Sequence, residues 1–273
     1  MRLTSLENGI LLEETANFDP FVSCECGQCF RFERLGEDEY SLVAVGRNLF
    51  IERKETGWLF RGIDEGAFRR DYIPYFDLDR DYGAIIKRYE YDKTVFDAAS
   101  VGGGIRIFRQ DPWETLISFI ISQNNNIPRI KKIINSLCEL LGEEKGGVYL
   151  FPTAESIAKA GVEGLAPIKS GFRAKYIVDA AEKVLSGEIS LEKIQNSSYE
   201  DALIELKKIK GVGDKVGNCV LLFGFGFYEA FPIDVWVKRV IEKYYGEDFD
   251  ARSFGEYAGI AQQYLFYYER SSR

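Results

Sequence analysis

Between Leu206 and Trp236 the chain reads LKKIKGVGDKVGNCVLLFGFGFYEAFPIDVW, which sets Lys215 after a glycine-spaced turn and Asp234 two residues after a proline. A lysine amine at the start of a helix sits where the positive dipole end disfavours an ammonium, and so becomes a nucleophile toward an electrophilic carbon. A neighbouring carboxylate is suited to stabilise the cation that develops as a bond to that carbon breaks. Each residue also has a plainer reading, Lys215 as a solvated charge beside a turn and Asp234 as a helix cap. The chain contains no histidine. Ser-His-Asp triads, HExxH zinc sites and the histidine-bearing zinc site of deaminases are therefore excluded, and catalysis falls to carboxylates, lysine, cysteine or backbone.

The turn GVGDKVG has the spacing GxGxxxG and follows an amphipathic helix. A dinucleotide fingerprint needs GxGxxG directly after a strand, and a phosphate loop needs GxxxxGK[ST]; neither fits. Two readings stay open, a structural corner between helices and a helix-hairpin-helix element. In the second, small residues admit an anion to the backbone and the next helix aims its N-terminal N–H groups at it. The net charge of −8 argues mildly against a polyanion. Local sign matters more, because exposed charges beyond about 10 Å are screened. PRIKK (128–132), KSGFRAK (169–175) and KKIKGVGDK (207–215) are basic islands.

These residues need a scaffold, and 273 residues with 46% hydrophobic content can bury one. Between Tyr40 and Arg61, YSLVAV, LFIER and WLFRG alternate in character and are separated by GRN and KETG, which predicts a small antiparallel sheet. Tyrosines and charges crowd residues 70 to 93, and VGGGIRIFRQDPW (101–113) reads as a boundary loop. WETLISFIIS then begins a helical region. Ile130, Ile133, Ile134, Leu137, Leu140 and Leu141 recur at helix spacing, Thr153 caps FPTAESIAKA, Gly187 closes FRAKYIVDAAEKVLSG, and Ser198 opens a helix with Leu203, Leu206 and Ile209 on one face. The expected fold class is α+β, with an N-terminal antiparallel β lobe (1–98) and a mainly helical body (99–273) containing a helix-hairpin-helix at about 199–226. No apolar run approaches the roughly 20 residues that span a bilayer. With no signal-peptide pattern and five cysteines, an odd number, the expectation is a soluble cytoplasmic protein without a disulfide framework and without a membrane partner.

GVGDKVGNC followed by PIDVW resembles the signature of the helix-hairpin-helix DNA glycosylases with a Gly/Pro-rich loop and an Asp, the HhH-GPD superfamily, and more narrowly its 8-oxoguanine DNA glycosylase/AP lyase branch. GQCFRF (27–32), SQNNNIPRI (122–130), GFRAKYI (171–177) and YAGIAQQYLF (257–266) follow in that family's order. The resemblance implies base excision repair of duplex DNA containing an oxidised purine, 8-oxoguanine opposite cytosine, by a monomer that flips the base into a pocket. It implies that Lys215 attacks the sugar, forms a Schiff base and permits β-elimination, while Asp234 stabilises the oxocarbenium-like charge. Gly27, Cys219, Gln262 and Phe266 would form the lesion pocket, with the C-terminal helix completing it. The Gly27 carbonyl would accept the ring N–H that distinguishes the lesion, and Phe266 and Cys219 would sandwich the base. Asn124 would fill the gap, Phe172 would wedge, and Arg129 and Arg173 would bond the estranged cytosine. Gly211, Gly213 and Val216 would offer N–H groups to a phosphate.

The pattern departs from eukaryotic relatives at Trp236, where they commonly carry histidine, so a phosphate contact at that position is not carried over; the SQNNN loop, Phe172 in place of tyrosine and compact lobes suggest a prokaryotic branch. CECGQC (24–29) supplies three close cysteines and no fourth ligand, so a metal reading is set aside. No cysteine follows Cys219, so the four-cysteine cluster of the iron–sulfur relatives is not expected and no cofactor is implied, although the hairpin leaves room for a structural cation. Two alternatives remain: a monofunctional alkylbase glycosylase, which activates water and needs no lysine, and a non-catalytic helix-hairpin-helix DNA-binding protein.

Overall fold

The computed structural model describes residues 1–271. Contacts divide the chain into two units. The first comprises Met1–Ala44, Leu49–Arg109 and Tyr228–Arg273; the second comprises Val45–Asn48 and Gln110–Phe227.

The first unit is built on a six-stranded antiparallel sheet of β1 (Arg2–Leu6), β2 (Gly9–Glu13), β3 (Phe32–Arg34), β4 (Glu39–Ala44), β5 (Arg47–Lys54, counted in this unit from Leu49) and β6 (Gly57–Arg61), in the order β1-β2-β6-β5-β4-β3. The three strands expected between Tyr40 and Arg61 are β4, β5 and β6. The sheet also recruits residues 2 to 13, which sequence reading passed over. Side chains alternate as a pleat requires, with Ile10 and Leu12 of β2, Leu49 and Ile51 of β5, and Phe60 of β6 buried. The tyrosine-rich stretch after β6 folds into short helical turns whose rings close the sheet's inner face: Phe60 meets Phe68 at 4.8 Å and Phe76 meets Phe108 at 5.1 Å.

A buried ionic knot fixes where this unit's last segment begins. The Asp77 carboxylate accepts from Arg80 at 2.7 Å, Arg109 at 3.2 Å and the Tyr82 hydroxyl at 3.2 Å. Arg80 lies 4.0 Å over the Tyr228 ring, and Arg109 Nε donates to the Tyr228 hydroxyl at 3.3 Å. Such a charge tolerates burial because its oxygens are fully engaged. From Tyr228 the segment reaches the C-terminal helix Ala258–Ser271, whose Gly259 N–H returns to the Tyr228 carbonyl at 2.7 Å.

The second unit is helical. Asp111, Asn126, Thr153 and Ser198 each accept a backbone N–H three residues on, capping helices Pro112–Ser122, Ile127–Leu141, Ala154–Gly164 and Tyr199–Leu206. Gly187, at φ +78°, closes Arg173–Ser186. Ile130, Ile133, Ile134 and Leu137 are buried as their spacing predicts, while Leu140 faces outward. The helix after Ser198 ends at Leu206, so Ile209 is buried from the following turn instead of extending the helix. Among the described residues no helix is long and apolar enough to cross a membrane.

Candidate active site

The glycine turn is a helix-hairpin-helix corner. Its first helix is Tyr199–Leu206 and its second is Asp214–Val220, capped by Gly213, which has no side chain to block the first-turn N–H groups. Gly217 lets the helices close, since a Cβ there would stand 2.5 Å from Leu203 Cδ1. Asn218 ties them, accepting from the Tyr199 hydroxyl at 2.7 Å and donating to the Asp214 carbonyl at 2.8 Å. The helix Arg173–Ser186 braces the corner from outside. Burial opposes charge on Asp179, yet its carboxylate accepts the Lys210 N–H at 2.9 Å and pairs with Lys210 and Lys183, which together hold its pKa below the usual carboxylate value. Gly211 adopts φ +80° beneath the Tyr176 ring, where a Cβ would lie 2.3 Å from Cδ2. Gly211→Ala combines that overlap with a left-handed backbone and is expected to cost about 2–4 kcal/mol, read as a lower chemical-denaturation midpoint with the same slope.

Lys215 is the second residue of the hairpin's second helix and is partly buried, its Nζ 5.2 Å from the Phe119 ring centre. Neighbouring Asp214 is taken by Lys207 at 2.6 Å. Among the described residues Lys215 has no carboxylate partner within ion-pair distance. Val216 and Cys219 follow on the same helix, both buried.

Asp234 belongs to the first unit, where it is both candidate and cap. Its Oδ1 accepts from the N–H groups of Trp236 at 3.0 Å and Val237 at 2.9 Å, opening the helix Val235–Val240. The cap locks the side chain. Oδ2 makes no hydrogen bond among the described residues.

Three of the four predicted base-pocket residues also lie in the first unit. Gly27, at φ +83°, faces Phe266, and a Cβ on it would stand 3.3 Å from the Phe266 ring and 3.6 Å from Arg270 Nη1. Only hydrogen leaves that space open. Gln262, one helical turn before Phe266, is buried and its Oε1 has no hydrogen-bond partner among the described residues. A buried acceptor left unpaired costs about 1–3 kcal/mol, so this amide oxygen is unlike the Gln263 amide nitrogen and the Tyr264 hydroxyl that follow it, which are engaged.

In the second unit the asparagines of SQNNN have distinct tasks. Asn126 caps the next helix through the Arg129 N–H at 3.0 Å, and Asn125 bonds the Ile121 carbonyl at 3.2 Å and the Asn126 N–H at 3.1 Å. The Asn124 side chain is exposed with no hydrogen bond among the described residues, on a backbone at φ +46°. Arg173 gathers this loop: Nε and Nη2 donate to the Gln123 carbonyl, Nη2 to Asn124 O at 3.0 Å, and Nη1 to Ser170 O at 3.1 Å. Burial, with Arg129 nearby, lowers the proton affinity of Arg173. Arg129 itself is exposed, and among the described residues its guanidinium reaches only the Lys169 carbonyl, at 3.5 Å. Phe172, half exposed, stands beside Arg173.

Two of the CECGQC thiols, those of Cys26 and Cys29, donate to backbone carbonyls. Cys26 Sγ donates to the Ser23 carbonyl at 3.0 Å and accepts from Gln28 Nε2 at 3.2 Å, and burial pushes its pKa up to about 12. A metal needs thiolates, which this environment disfavours. Among the described residues no group of three Cys, Asp or Glu side chains is placed to hold a metal ion.

The family described as "8-oxoguanine DNA glycosylase, N-terminal domain" matches residues 10–116, and "HhH-GPD superfamily base excision DNA repair protein" matches 117–253. An N-glycosylase/DNA lyase from Saccharomyces cerevisiae is 39% identical over 229 residues, covering 78% of this chain and 61% of that protein, so the matched region spans about three-fifths of that relative. A probable N-glycosylase/DNA lyase from Methanothermobacter thermautotrophicus is 31% identical, covering 74% of this chain and 75% of its own length. The Clostridium acetobutylicum 8-oxoguanine glycosylase/lyase, solved with double-stranded DNA containing cytosine opposite 8-oxoG, superposes with a TM-score of 0.92 at 36% identity, over 100% of this chain and 98% of that one. With both family regions matched in order across the hairpin, the Asp234 cap and the Gly27 loop, the chain belongs to the 8-oxoguanine DNA glycosylase/AP lyase family of the HhH-GPD superfamily.

Proposed function

We propose that this protein excises 8-oxoguanine opposite cytosine from duplex DNA and then cleaves the strand through a Schiff base on Lys215. The observation that carries the reading is the amine itself, set in the first turn of the hairpin's second helix without a carboxylate partner among the described residues. The N–H groups of Gly211, Gly213 and Val216 receive a DNA phosphate at the corner, which lets an acidic chain dock with few cations. The Lys215 nitrogen forms a bond to C1′ as the N-glycosidic bond breaks, and the base leaves with the electron pair and takes up the proton that the amine gives up. Asp234, with Oδ1 held by its helix, offers its charge to the oxocarbenium-like sugar. The adduct opens to an imine, loss of a C2′ proton expels the 3′ phosphate, and water releases the lysine. No metal or cluster enters the scheme. A monomer suffices for it, working in the compartment that holds the DNA.

Lesion recognition rests on Gly27, whose carbonyl accepts the N7–H of 8-oxoguanine and meets a repelling lone pair in guanine. Gln262 Oε1 accepts donors on the Watson–Crick edge, and Phe266, one helical turn on, stacks on a face of the base. Borohydride treatment of duplexes carrying 8-oxoguanine, an alkylated purine or no lesion tests the reading. A covalent adduct should form with the first. Removal of the alkylated base alone, without an adduct, would favour the monofunctional alternative, and duplex binding without cleavage of any kind would favour a binding module.

On the opposite strand Asn124 fills the gap, Phe172 wedges, and Arg129 and Arg173 face cytosine's acceptors. The arginines should separate experimentally. Arg129→Ala is expected to lower the preference for cytosine over the other opposite bases by about tenfold at unchanged thermal stability. Arg173→Ala should lower the preference and also cost about 2–3 kcal/mol, because three loop carbonyls lose their donor. Excision rates across the four opposite bases, beside melting curves, decide both.

A further inference from the structure

The face that the C-terminal helix turns toward the Gly27 loop carries more than Phe266. Residues 263, 266 and 270 follow one another at spacings of three and four, so they share one helical face. All three meet the same short loop. Gln263, 2% exposed, donates from Nε2 to the Cys26 carbonyl at 2.5 Å. Phe266 lies against Gly27, and Arg270 Nη2 donates to the Glu25 carbonyl at 2.8 Å. On the other side of the glycine, Gln28 is fully buried and held at both ends of its amide. Its Nε2 donates to the carbonyls of Ser23 at 2.9 Å and Arg106 at 2.8 Å, and its Oε1 accepts the Phe108 N–H at 2.7 Å.

Glycine is the residue least able to fix its own backbone, and a free Gly27 could rotate the peptide units on either side of it. Here neither unit is free. The Cys26–Gly27 peptide is anchored through the Cys26 carbonyl, and the Gly27–Gln28 peptide through the Gln28 side chain. We infer that Gln263 is a specificity-determining positioning residue, which by holding the Cys26 carbonyl presents the Gly27 carbonyl in the one orientation that tells the oxidised purine from guanine. The inference rests on the proposed function, in which that carbonyl reads the lesion's N7–H. It also gives the two adjacent glutamines separate tasks: the Gln262 Oε1 is unpaired and awaits a ligand, whereas Gln263 is spent on the loop. Losing Gln263 would leave the Cys26 carbonyl without its donor, and the cost falls on the orientation of the neighbouring peptide.

Gln263→Met keeps the side chain's length and removes the donor. Two duplexes with cytosine opposite, one carrying 2′-fluoro-8-oxoguanosine and one 2′-fluoroguanosine, bind without being cut and report recognition. Strand cleavage at a preformed abasic site reports Lys215 and DNA docking without any base in the pocket. The variant should bind the oxidised duplex over the normal one with a ratio about tenfold or more below wild type, while abasic-site cleavage stays within twofold. An unchanged ratio overturns the inference. So does an equal fall in abasic-site cleavage, which would make Gln263 a general support of the fold. Should wild type show no preference for the oxidised duplex, the proposed function itself fails, and the inference with it. If the Met variant does not fold, Gln263→Asn, which keeps an amide but withdraws it by one methylene, is read by the same two assays.

Discussion

Lys215→Gln should abolish borohydride trapping altogether and slow excision of 8-oxoguanine by at least about a thousandfold, a loss of about 4 kcal/mol of transition-state stabilisation. An amide has no lone pair able to form an imine, so no residual trapping is expected at any enzyme concentration. Binding to the lesion duplex should stay within a few fold. In the proposed docking the corner meets a phosphate through main-chain N–H groups, and substituting a side chain in the first helical turn leaves those groups in place. Stability should also hold, since among the described residues Lys215 has no ion pair to lose and a glutamine stem can keep the packing against Phe119. Gel analysis of reduced complexes, alongside equilibrium binding, separates these quantities. Equal trapping by the variant would remove Lys215 as the nucleophile and send the search to another amine.

What could be read before the structure follows a physical pattern. Caps, glycine turns and apolar spacing are local signals, and Thr153, Ser198, Gly187 and the hairpin are where they point. The β1–β2 hairpin was missed although it carries the alternation of Ile10 and Leu12, because charged and polar residues interrupt a short stretch at the chain's start. The C-terminal segment's attachment to the first unit could not be read at all. It depends on Tyr228 meeting Arg80 and Arg109 more than a hundred residues away, and on the Gln263 contact to Cys26 across 237 positions. Among the site residues, sequence could nominate Asn124 only through resemblance, since three consecutive asparagines are equivalent on paper. The structure gives Asn125 and Asn126 local partners and leaves the Asn124 side chain without one among the described residues. Gln263, Gln28 and Arg270 have no local signature whatever. Their importance arises from which carbonyls they reach.

The two readings of Asp234, cap and catalytic carboxylate, are compatible, and one substitution separates them. Asparagine caps helices about as well as aspartate, because its side-chain oxygen accepts the same N–H groups. Asp234→Asn therefore keeps bonds to Trp236 and Val237 while removing the negative charge. Its melting temperature should lie within a few degrees of wild type. Excision should nonetheless fall by about a hundred- to a thousandfold, the scale on which losing one preorganised electrostatic group is felt. Asp234→Ala gives the complement: it loses cap and charge together, so a stability loss of about 1 kcal/mol should appear on top of a similar rate loss. If the asparagine variant excised at the wild-type rate while the alanine variant failed, the carboxylate would matter only as the fixture of its helix, and charge stabilisation of the sugar would have to come from elsewhere. If both variants lose excision and only alanine loses stability, the residue performs both tasks through different oxygens. In that outcome Oδ1 serves the helix, and Oδ2, without a hydrogen bond among the described residues, is the atom left to face the cation.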